Sequence, residues 1–207
     1  MSPPKPRIAV VPGDPAGIGP ELVARLLADA GTAAAADLLL IADPADLTRG
    51  MAVAGLRTPW SLVSSLDAVV FDSAPVLLPH TVAGSSFECG VSTAEAGRYA
   101  LDTLRLALDA ARQGVVDAIL FAPLNKHSLH LAGMGTADEL HWFVEQLGFT
   151  GPVGEFNVLD GLWTSRVTSH IALKDVPARI TIEGVVRAIE LIHRGLRGCG
   201  VAEPRIA

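Results

Sequence analysis

The chain has 207 residues, of which 50% are hydrophobic and 18% charged, and its net charge is −6. This composition excludes a disordered chain and is enough for one large or two small domains. The acidic balance, without any Lys/Arg cluster, argues against nucleic-acid binding, and no apolar run is long enough to span a membrane. Cys89 and Cys199 have neither metal-ligand nor disulfide spacing. We therefore expect a cytoplasmic protein.

Apolar runs alternate with amphipathic patterns along the chain. Short runs rich in branched apolar residues predict buried strands at 7–12, 37–43, 116–122 and 164–173, whereas residues 32–36 are featureless and 50–79 give only weak strand signals. Spacing of 3.6 residues predicts helices at 21–30, 94–113 and 137–147 and from Ile182 to Leu196. This alternation predicts an α/β fold with a mostly parallel sheet covered on both faces.

Two of the predicted strands are followed by segments whose residue types are typical of ligand sites. Both segments lie at the sheet edge where ligands of such folds bind. The first strand runs into GDPAGIGPE, from Gly13 to Glu21. Glycines permit close backbone approach, a helix N-terminus attracts anions, and Asp14 is a candidate for orienting a hydroxyl or supporting a metal-bound group. A tight strand-to-helix turn without a ligand explains the same residues equally well.

The third strand ends in APLNK, where Asn125 and Lys126 lie side by side. Lys126 is a candidate for binding a phosphate or carboxylate or for polarising a carbonyl, and the alternative is a helix-starting turn with a solvated lysine. His170, in a run of apolar residues, is by itself more typical of the core than of a metal site. The segment 138–141, DELH, fits either acidic helix capping or an acid/base group made by Asp138, Glu139 and His141.

Taken together, these segments resemble the 4-hydroxythreonine-4-phosphate dehydrogenase (PdxA) family. The resemblance rests on motifs that come in family order and span nearly the whole chain: GDPAGIGPE (13–21), STAEAGRYA (92–100), DAI with APLNK (117–126), HLAG (130–133), TSHIALKD (168–175) and AEPRI (202–206).

The resemblance implies a three-layer α/β/α fold of the isocitrate/isopropylmalate-dehydrogenase type and a homodimer with active sites at the subunit interface. It also implies NAD or NADP and a divalent metal such as Zn²⁺, Mg²⁺ or Co²⁺. The substrate would be a phosphorylated hydroxy acid such as 4-phosphohydroxy-L-threonine, which is oxidised and decarboxylated in pyridoxine biosynthesis. In that chemistry the metal lowers the pKa of the substrate hydroxyl and stabilises the enolate.

Site residues follow from the same resemblance. His170 matches the first of three metal-binding histidines. Asn125 and Lys126 are expected to be catalytic, near the reacting end of the substrate, and Asp14 is expected to bind the substrate in the wall of its cleft. Where the family has Gly-His-Thr-Glu, this chain has Asp138 to His141. Glu139 and Leu140 therefore replace the substrate-binding His and Thr, and His141 is a further candidate contact to the substrate. A carboxylate at Glu139 would repel an anionic substrate, which makes a hydroxyl-rich or less anionic one plausible. No residue is assigned to the cofactor.

Family chains continue beyond the motifs found here, into segments that supply the other two metal histidines. We therefore expect residues 1–207 to be the N-terminal portion of such a dehydrogenase, incomplete at the C-terminus, with a subdomain change near 125–135. Expressed alone, this portion should be inactive and poorly soluble. The alternative is a non-catalytic binding protein or partner subunit that retains only this part of the fold.

Overall fold

The computed structural model describes residues 4–72, 74–82, 87–136, 138–169 and 171–207. These residues form two compact units, the first ending at Gly135 and the second beginning at Thr136. The first unit carries the parallel sheet. Its elements in chain order are β1 (Arg7–Val11), α1 (Gly19–Ala28), α2 (Ala30–Ala35), β2 (Asp37–Ala42), α3 (Pro44–Ala54), β3 (Ser61–Leu62), β4 (Val76–Pro79), α4 (Ala94–Arg112), β5 (Ala118–Phe121) and α5 (Lys126–Leu131), with a 3-10 turn at Leu66–Ala68.

The five strands of this sheet are all parallel, in the order β3-β4-β2-β1-β5. On one face, Val10, Leu40 and Leu77 pack in a common core with Val23 of α1 and Leu47 of α3. The opposite face, which α4 covers, carries the alternate apolar residues of β1 and β2, and these are also fully buried: Ala9, Val11, Leu39 and Ile41. Helices therefore lie on both faces, and the predicted three-layer α/β fold is confirmed.

Local signals in the sequence explain where the helices begin and end. The side chain of Asp43 accepts a hydrogen bond from the Ala45 amide at 2.7 Å and starts α3, and Thr93 accepts one from the Ala96 amide at 3.1 Å and starts α4. After α4 the chain turns at Gly114, whose φ of 69° is left-handed. The boundaries predicted for this helix are confirmed.

The second unit contains α6 (Glu139–Leu147), β6 (Asn157–Leu159), β7 (Leu162–Thr164), a 3-10 turn at Leu173–Asp175, α7 (Val176–Arg179) and α8 (Ile182–Gly198). The strands β6 and β7 form an antiparallel hairpin. Although the predicted apolar face of α8 exists, only Ile192 on it is buried, and Ile182 is 79% exposed. A groove of about 930 Å³ lies among β7, α8 and the last seven residues.

One expectation about secondary structure was wrong, and two helices were not predicted. The strand predicted at 164–173 is absent beyond Thr164 from the residues that the structure describes, and residues 165–169 and 171–172 are irregular. No described strand pairs with this stretch, so its backbone has no ladder to join, and Val167 and Ile171 are each 41% exposed. The stretch at 32–36, which the sequence analysis called featureless, belongs mostly to helix α2, because alanine is a strong helix former. Helix α3 was also not predicted.

Within the described part of the chain, no helix combines the length and the apolar character that crossing a bilayer requires.

Candidate functional site

The GDPAGIGPE and APLNK segments lie next to each other in the structure. Strands β1 and β5 are parallel neighbours, so their carboxyl ends lie at the same edge of the sheet. There the Asp14 amide donates a hydrogen bond to the Pro123 carbonyl oxygen at 3.1 Å. The loop between β1 and α1, residues 12–18, and the loop between β5 and α5, residues 122–125, therefore form one continuous surface. We call this surface the candidate site.

Two glycines of the β1–α1 loop serve backbone packing. Gly13 has a φ of +71°, and a Cβ there would lie 2.9 Å from the Ala122 carbonyl carbon. A Cβ on Gly19 would lie 2.9 Å from the Pro12 carbonyl carbon and closer still to its oxygen. Only glycine fits at either position, because each obstacle is backbone. The glycines thus bring the two loops together, and the exposed part of the loop is Gly17 and Ile18.

Asp14 closes the turn of this loop. The residue is 8% exposed, and its Oδ1 accepts a hydrogen bond from the Ala16 amide at 3.0 Å. Its carbonyl oxygen accepts another from the Gly17 amide at 3.1 Å. These bonds give Asp14 a structural role in the tight strand-to-helix turn that the sequence analysis gave as the alternative. Its assignment as a substrate-binding residue stays a prediction.

Asn125 caps the helix that begins with Lys126. Its Oδ1 accepts a hydrogen bond from the Ser128 amide at 3.1 Å, and its Nδ2 donates one to the hydroxyl of Ser92 at 2.9 Å. Lys126 is exposed at the first position of α5. The structure therefore fixes the amide of Asn125 rigidly beside the lysine, whereas the catalytic role expected for both residues stays a prediction.

A third segment, just before α4, completes the rim of the candidate site. The Gly90 amide donates to the Ala16 carbonyl oxygen at 2.9 Å, and Ser92 bonds Asn125 as described above. Sequence reasoning used this segment only as a family motif and the start of a helix. The signal that could have placed it is the Ser92-Thr93 pair, since a helix start in such a fold lies at the same sheet edge as the ligand loops.

Tyr99 lies fully buried behind this rim. Its hydroxyl accepts a hydrogen bond from the Asp43 amide at 2.8 Å, and burial raises the pKa of the phenol. The ring is in tilted contact with His80 and Phe87, at centroid distances of 5.7 and 5.5 Å. Sequence reasoning missed this residue. Its contacts tie α4 to the segments that follow β2 and β4.

The DELH segment lies in the second unit, at the start of α6. Oδ1 of Asp138 accepts a hydrogen bond from the His141 amide at 2.9 Å and lies 2.6 Å from Nδ1 of the same residue. The imidazole is 62% exposed, and Glu139 and Leu140 are half-buried. Helix capping by Asp138 is thus present. The substrate-binding roles of Glu139, Leu140 and His141 stay predictions.

The expected metal ligand His170 lies outside the described residues. Among the residues that are described, no three His, Cys, Asp or Glu side chains come close enough together to hold a metal ion. Catalytic metal sites in proteins usually have at least three protein ligands. The described residues therefore do not by themselves fit a metal site.

Comparison with known proteins identifies a family whose members resemble this chain over most of its length. Residues 34–207 match the model of the family described as "Pyridoxal phosphate biosynthetic protein PdxA". The "Putative 4-hydroxythreonine-4-phosphate dehydrogenase 2" of Pseudomonas aeruginosa is 54% identical over 207 residues, covering 99% of this chain and 61% of the relative. The "Putative D-threonate 4-phosphate dehydrogenase" of Bradyrhizobium diazoefficiens is 33% identical over 205 residues, covering 97% of this chain and 58% of the relative.

A solved structure agrees with these relatives. The crystal structure of 4-hydroxythreonine-4-phosphate dehydrogenase from Klebsiella pneumoniae superposes with a TM-score of 0.85 at 27% identity, over 99% of this chain and 62% of that one. The chain thus spans about three fifths of the length of the proteins it matches. Fold, motif order and family match agree, and the chain belongs to the PdxA family.

Proposed function

We propose that this protein is an NAD(P)- and divalent-metal-dependent dehydrogenase that oxidises and then decarboxylates a phosphorylated hydroxy acid such as 4-phosphohydroxy-L-threonine. The observation that carries this proposal is membership of the PdxA family across residues 34–207. Support comes from relatives whose names specify dehydrogenases of two phosphorylated hydroxy acids, 4-hydroxythreonine 4-phosphate and D-threonate 4-phosphate.

Lys126 is the residue of this chain that we assign to a phosphate or carboxylate near the reacting end of the substrate. Lys126 is an exposed residue at the carboxyl edge of the sheet, where ligands of parallel α/β folds bind. A lysine binds a phosphate or carboxylate as a compact point charge. Asn125 is held in one orientation by its bonds to Ser92 and Ser128, so its amide presents fixed hydrogen-bonding groups beside that charge.

Glu139 is the residue that we assign to substrate choice. It stands where the family has a histidine, and an ionised carboxylate accepts hydrogen bonds but donates none. Such a group favours a hydrogen-bond donor on the substrate, either a hydroxyl or an ammonium, and disfavours a phosphate or carboxylate at that point. A hydroxyl-rich substrate such as D-threonate 4-phosphate satisfies this requirement.

The remaining assignments belong to the same proposal. NAD or NADP accepts the hydride, and Zn²⁺, Mg²⁺ or Co²⁺ is the metal, with His170 as one ligand. The protein acts as a cytoplasmic homodimer, in a step of pyridoxine biosynthesis or of a related route for phosphorylated sugar acids. Because the described residues do not fit a metal site, the roles assigned to Asn125, Lys126 and Glu139 are limited to binding and orienting the substrate.

The test is a spectrophotometric assay of the full-length native protein. Each of the two phosphorylated hydroxy acids is combined with NAD⁺ or NADP⁺ and one of the three metals, and absorbance of the reduced cofactor is followed. We expect turnover that depends on both metal and cofactor. Lys126→Met should lower kcat/KM by roughly a hundredfold or more, as for the loss of a charged contact to substrate. Lys5→Met is the matched control, because Lys5 precedes β1 at the opposite end of the sheet, where its ammonium donates to the Ala33 carbonyl oxygen.

A folded, metal-loaded protein that reduces neither cofactor with either substrate would contradict the proposal. The non-catalytic binding protein would then be the better interpretation. Equal loss of activity in the Lys126 and Lys5 variants would remove Lys126 from the site but leave the enzyme class intact.

A further inference from the structure

Arg49 reaches from α3 to the β1–α1 loop of the candidate site. Its Nη2 donates a hydrogen bond to the Pro15 carbonyl oxygen at 2.7 Å, and its Nη1 forms an ion pair with Oδ1 of Asp46, also at 2.7 Å. Hydrogen bonds from a charged donor are stronger than those between neutral groups. The guanidinium therefore joins helix and loop more firmly than a contact between uncharged side chains would.

Close packing of α3 on α1 places Arg49 within reach of the loop. Its neighbour Gly50 is buried against the first turn of α1. A Cβ on Gly50 would lie 2.9 Å from the Glu21 nitrogen and closer still to the Pro20 carbonyl group. Since the obstacle is backbone, the two helices can approach this closely only with glycine at this position. The origin of the arginine side chain is thereby fixed relative to the loop.

The carboxylate that orients Arg49 is buried. Asp46 is 4% exposed, and its Oδ2 has no hydrogen-bond partner among the described residues. Burial raises the pKa of Asp46, and the charge and hydrogen bond of Arg49 oppose that rise. A buried carboxylate is unfavourable unless it is paired, so the position of Asp46 depends on the guanidinium just as the guanidinium depends on it.

The peptide group between Pro15 and Ala16 is held at both of its polar ends. Its carbonyl oxygen accepts from Arg49, and its N–H donates to Oδ1 of Asp14. A peptide group is planar, so two bonds at opposite ends fix its orientation. The two exposed residues of the loop, at 17 and 18, follow immediately and take their direction from this peptide.

We propose that Arg49 is a positioning residue of the candidate site, which fixes the Pro15–Ala16 peptide and so holds Gly17 and Ile18 in the orientation that binds the substrate. The inference rests on the proposed function, because it assigns the β1–α1 loop to the wall of the substrate cleft. Arg49 itself does not contact the substrate. Its loss therefore weakens binding and leaves the chemical step nearly unchanged.

The test compares Arg49→Ala and Arg49→Lys with Arg105→Ala in the full-length native protein. Arg105 also forms an ion pair with the carboxylate three residues before it, Asp102 at 2.8 Å, but this pair is exposed and lies within α4, away from the loop. Steady-state kinetics give KM and kcat for the phosphorylated hydroxy acid. Amide hydrogen exchange is followed at residues 14–18 of the loop and, as an internal reference, in β2.

We expect Arg49→Ala to raise KM roughly tenfold with kcat changed less than about threefold, as for a loss of binding without loss of transition-state stabilisation. Loop amides should exchange roughly tenfold faster while β2 stays protected, because only local opening becomes easier. Arg49→Lys keeps the charge but cannot fork to two partners, so it should be intermediate. Arg105→Ala should match the wild type in both measurements.

Two results of the exchange measurement would overturn the positioning role. One is unchanged exchange in the loop; the other is equal acceleration in the loop and in β2, which would indicate only a general loss of stability. A fall in kcat at constant KM would overturn it as well. If the wild type turned over neither hydroxy acid, the proposed function would fail, but the exchange comparison would still decide whether Arg49 holds the loop.

Discussion

Substituting alanine at Gly19 and at Gly17 tests the packing of the β1–α1 loop with one chemical change at two positions. At Gly19, the added Cβ would lie 2.9 Å from the Pro12 carbonyl carbon and 3.4 Å from the Cβ of Ala122. At Gly17, the nearest atom outside its immediate neighbours would be the Asp14 carbonyl oxygen at 3.4 Å, and the residue is exposed. The first position has no room for a methyl group and the second has room.

The structure gives the size of the expected difference. Relief at Gly19 requires α1 to move away from β1, which opens the core around Val23 and Ala24, 3% and 0% exposed. Inserting a methyl group into a packed interior costs about 1–3 kcal/mol, and a backbone obstacle places Gly19→Ala near the upper end of that range. Gly17→Ala should be neutral or stabilising by up to ~1 kcal/mol, since alanine restricts the unfolded chain more than glycine does.

Thermal unfolding followed by circular dichroism at 222 nm measures this difference. For a protein of this size, a gap of about 3 kcal/mol corresponds to a difference in Tm of roughly 6–12 °C between the two variants. Gly17→Ala should melt with the wild type or slightly above it. If the two variants melted within about 2 °C of each other, the close backbone approach at Gly19 would not be a real constraint on the fold.

Three further predictions concern other parts of the chain. Asn125→Ala should lower the free energy of unfolding, measured in urea, by about 1–2 kcal/mol, because a helix cap and a side-chain hydrogen bond are lost. Asn125→Asp keeps the cap acceptor, so its free energy of unfolding should stay within ~0.5 kcal/mol of the wild-type value. Equal losses in the two variants would contradict the capping role. Hydrogen bonds from Arg7, chiefly from its side chain and also from its backbone, lower the pKa of Asp117 from 3.8 to about 2. The pair therefore stabilises the fold above pH 3.8, and this stabilisation is lost as the pH falls through 2. Asp117→Asn should therefore lower Tm at neutral pH, and its difference from wild type should vanish near pH 2; a constant difference in Tm across that range would contradict the pairing. Residues 1–207 expressed alone should self-associate through the exposed side of α8, and Ile182→Lys should reduce light scattering, while a monodisperse wild-type fragment would refute this.

The sequence predicted helices and strands correctly where the local pattern of apolar residues and capping residues was strong. The apolar runs of β1 and β2 were correctly identified as buried strands, and α4 was bounded correctly by Thr93 and Gly114. The missed helix α3 also carried signals, with Asp43 and Pro44 at its start and a left-handed Gly55 after its end. Its amphipathic pattern is weaker than that of α4, because polar and small residues interrupt the apolar side. The predicted strand at 164–173 failed because pairing partners are not encoded locally.

The candidate site was predictable only in outline. That GDPAGIGPE and APLNK lie at the carboxyl ends of strands followed from the parallel sheet, and the structure adds that those strands are neighbours. The role of Arg49 depends on how two helices pack, which no local pattern in the sequence specifies. The same holds for the bond between Asn125 and Ser92, which are 33 positions apart. Identifying such contacts requires the three-dimensional structure.

The pairing of β1 with β5 also has a consequence for the order of events during folding. Ile8 is in register with Ala118, whereas the other neighbour of β1 pairs Ile8 with Leu38. The chain between β1 and β5 is much longer than that between β1 and β2, so bringing β5 next to β1 costs more conformational entropy. Strands β1 to β4 can therefore assemble before β5 docks. On a ribosome, the first four strands emerge well before β5 and Lys126. The candidate site is therefore created by the last strand to join the sheet, and a bound substrate would stabilise that final docking step.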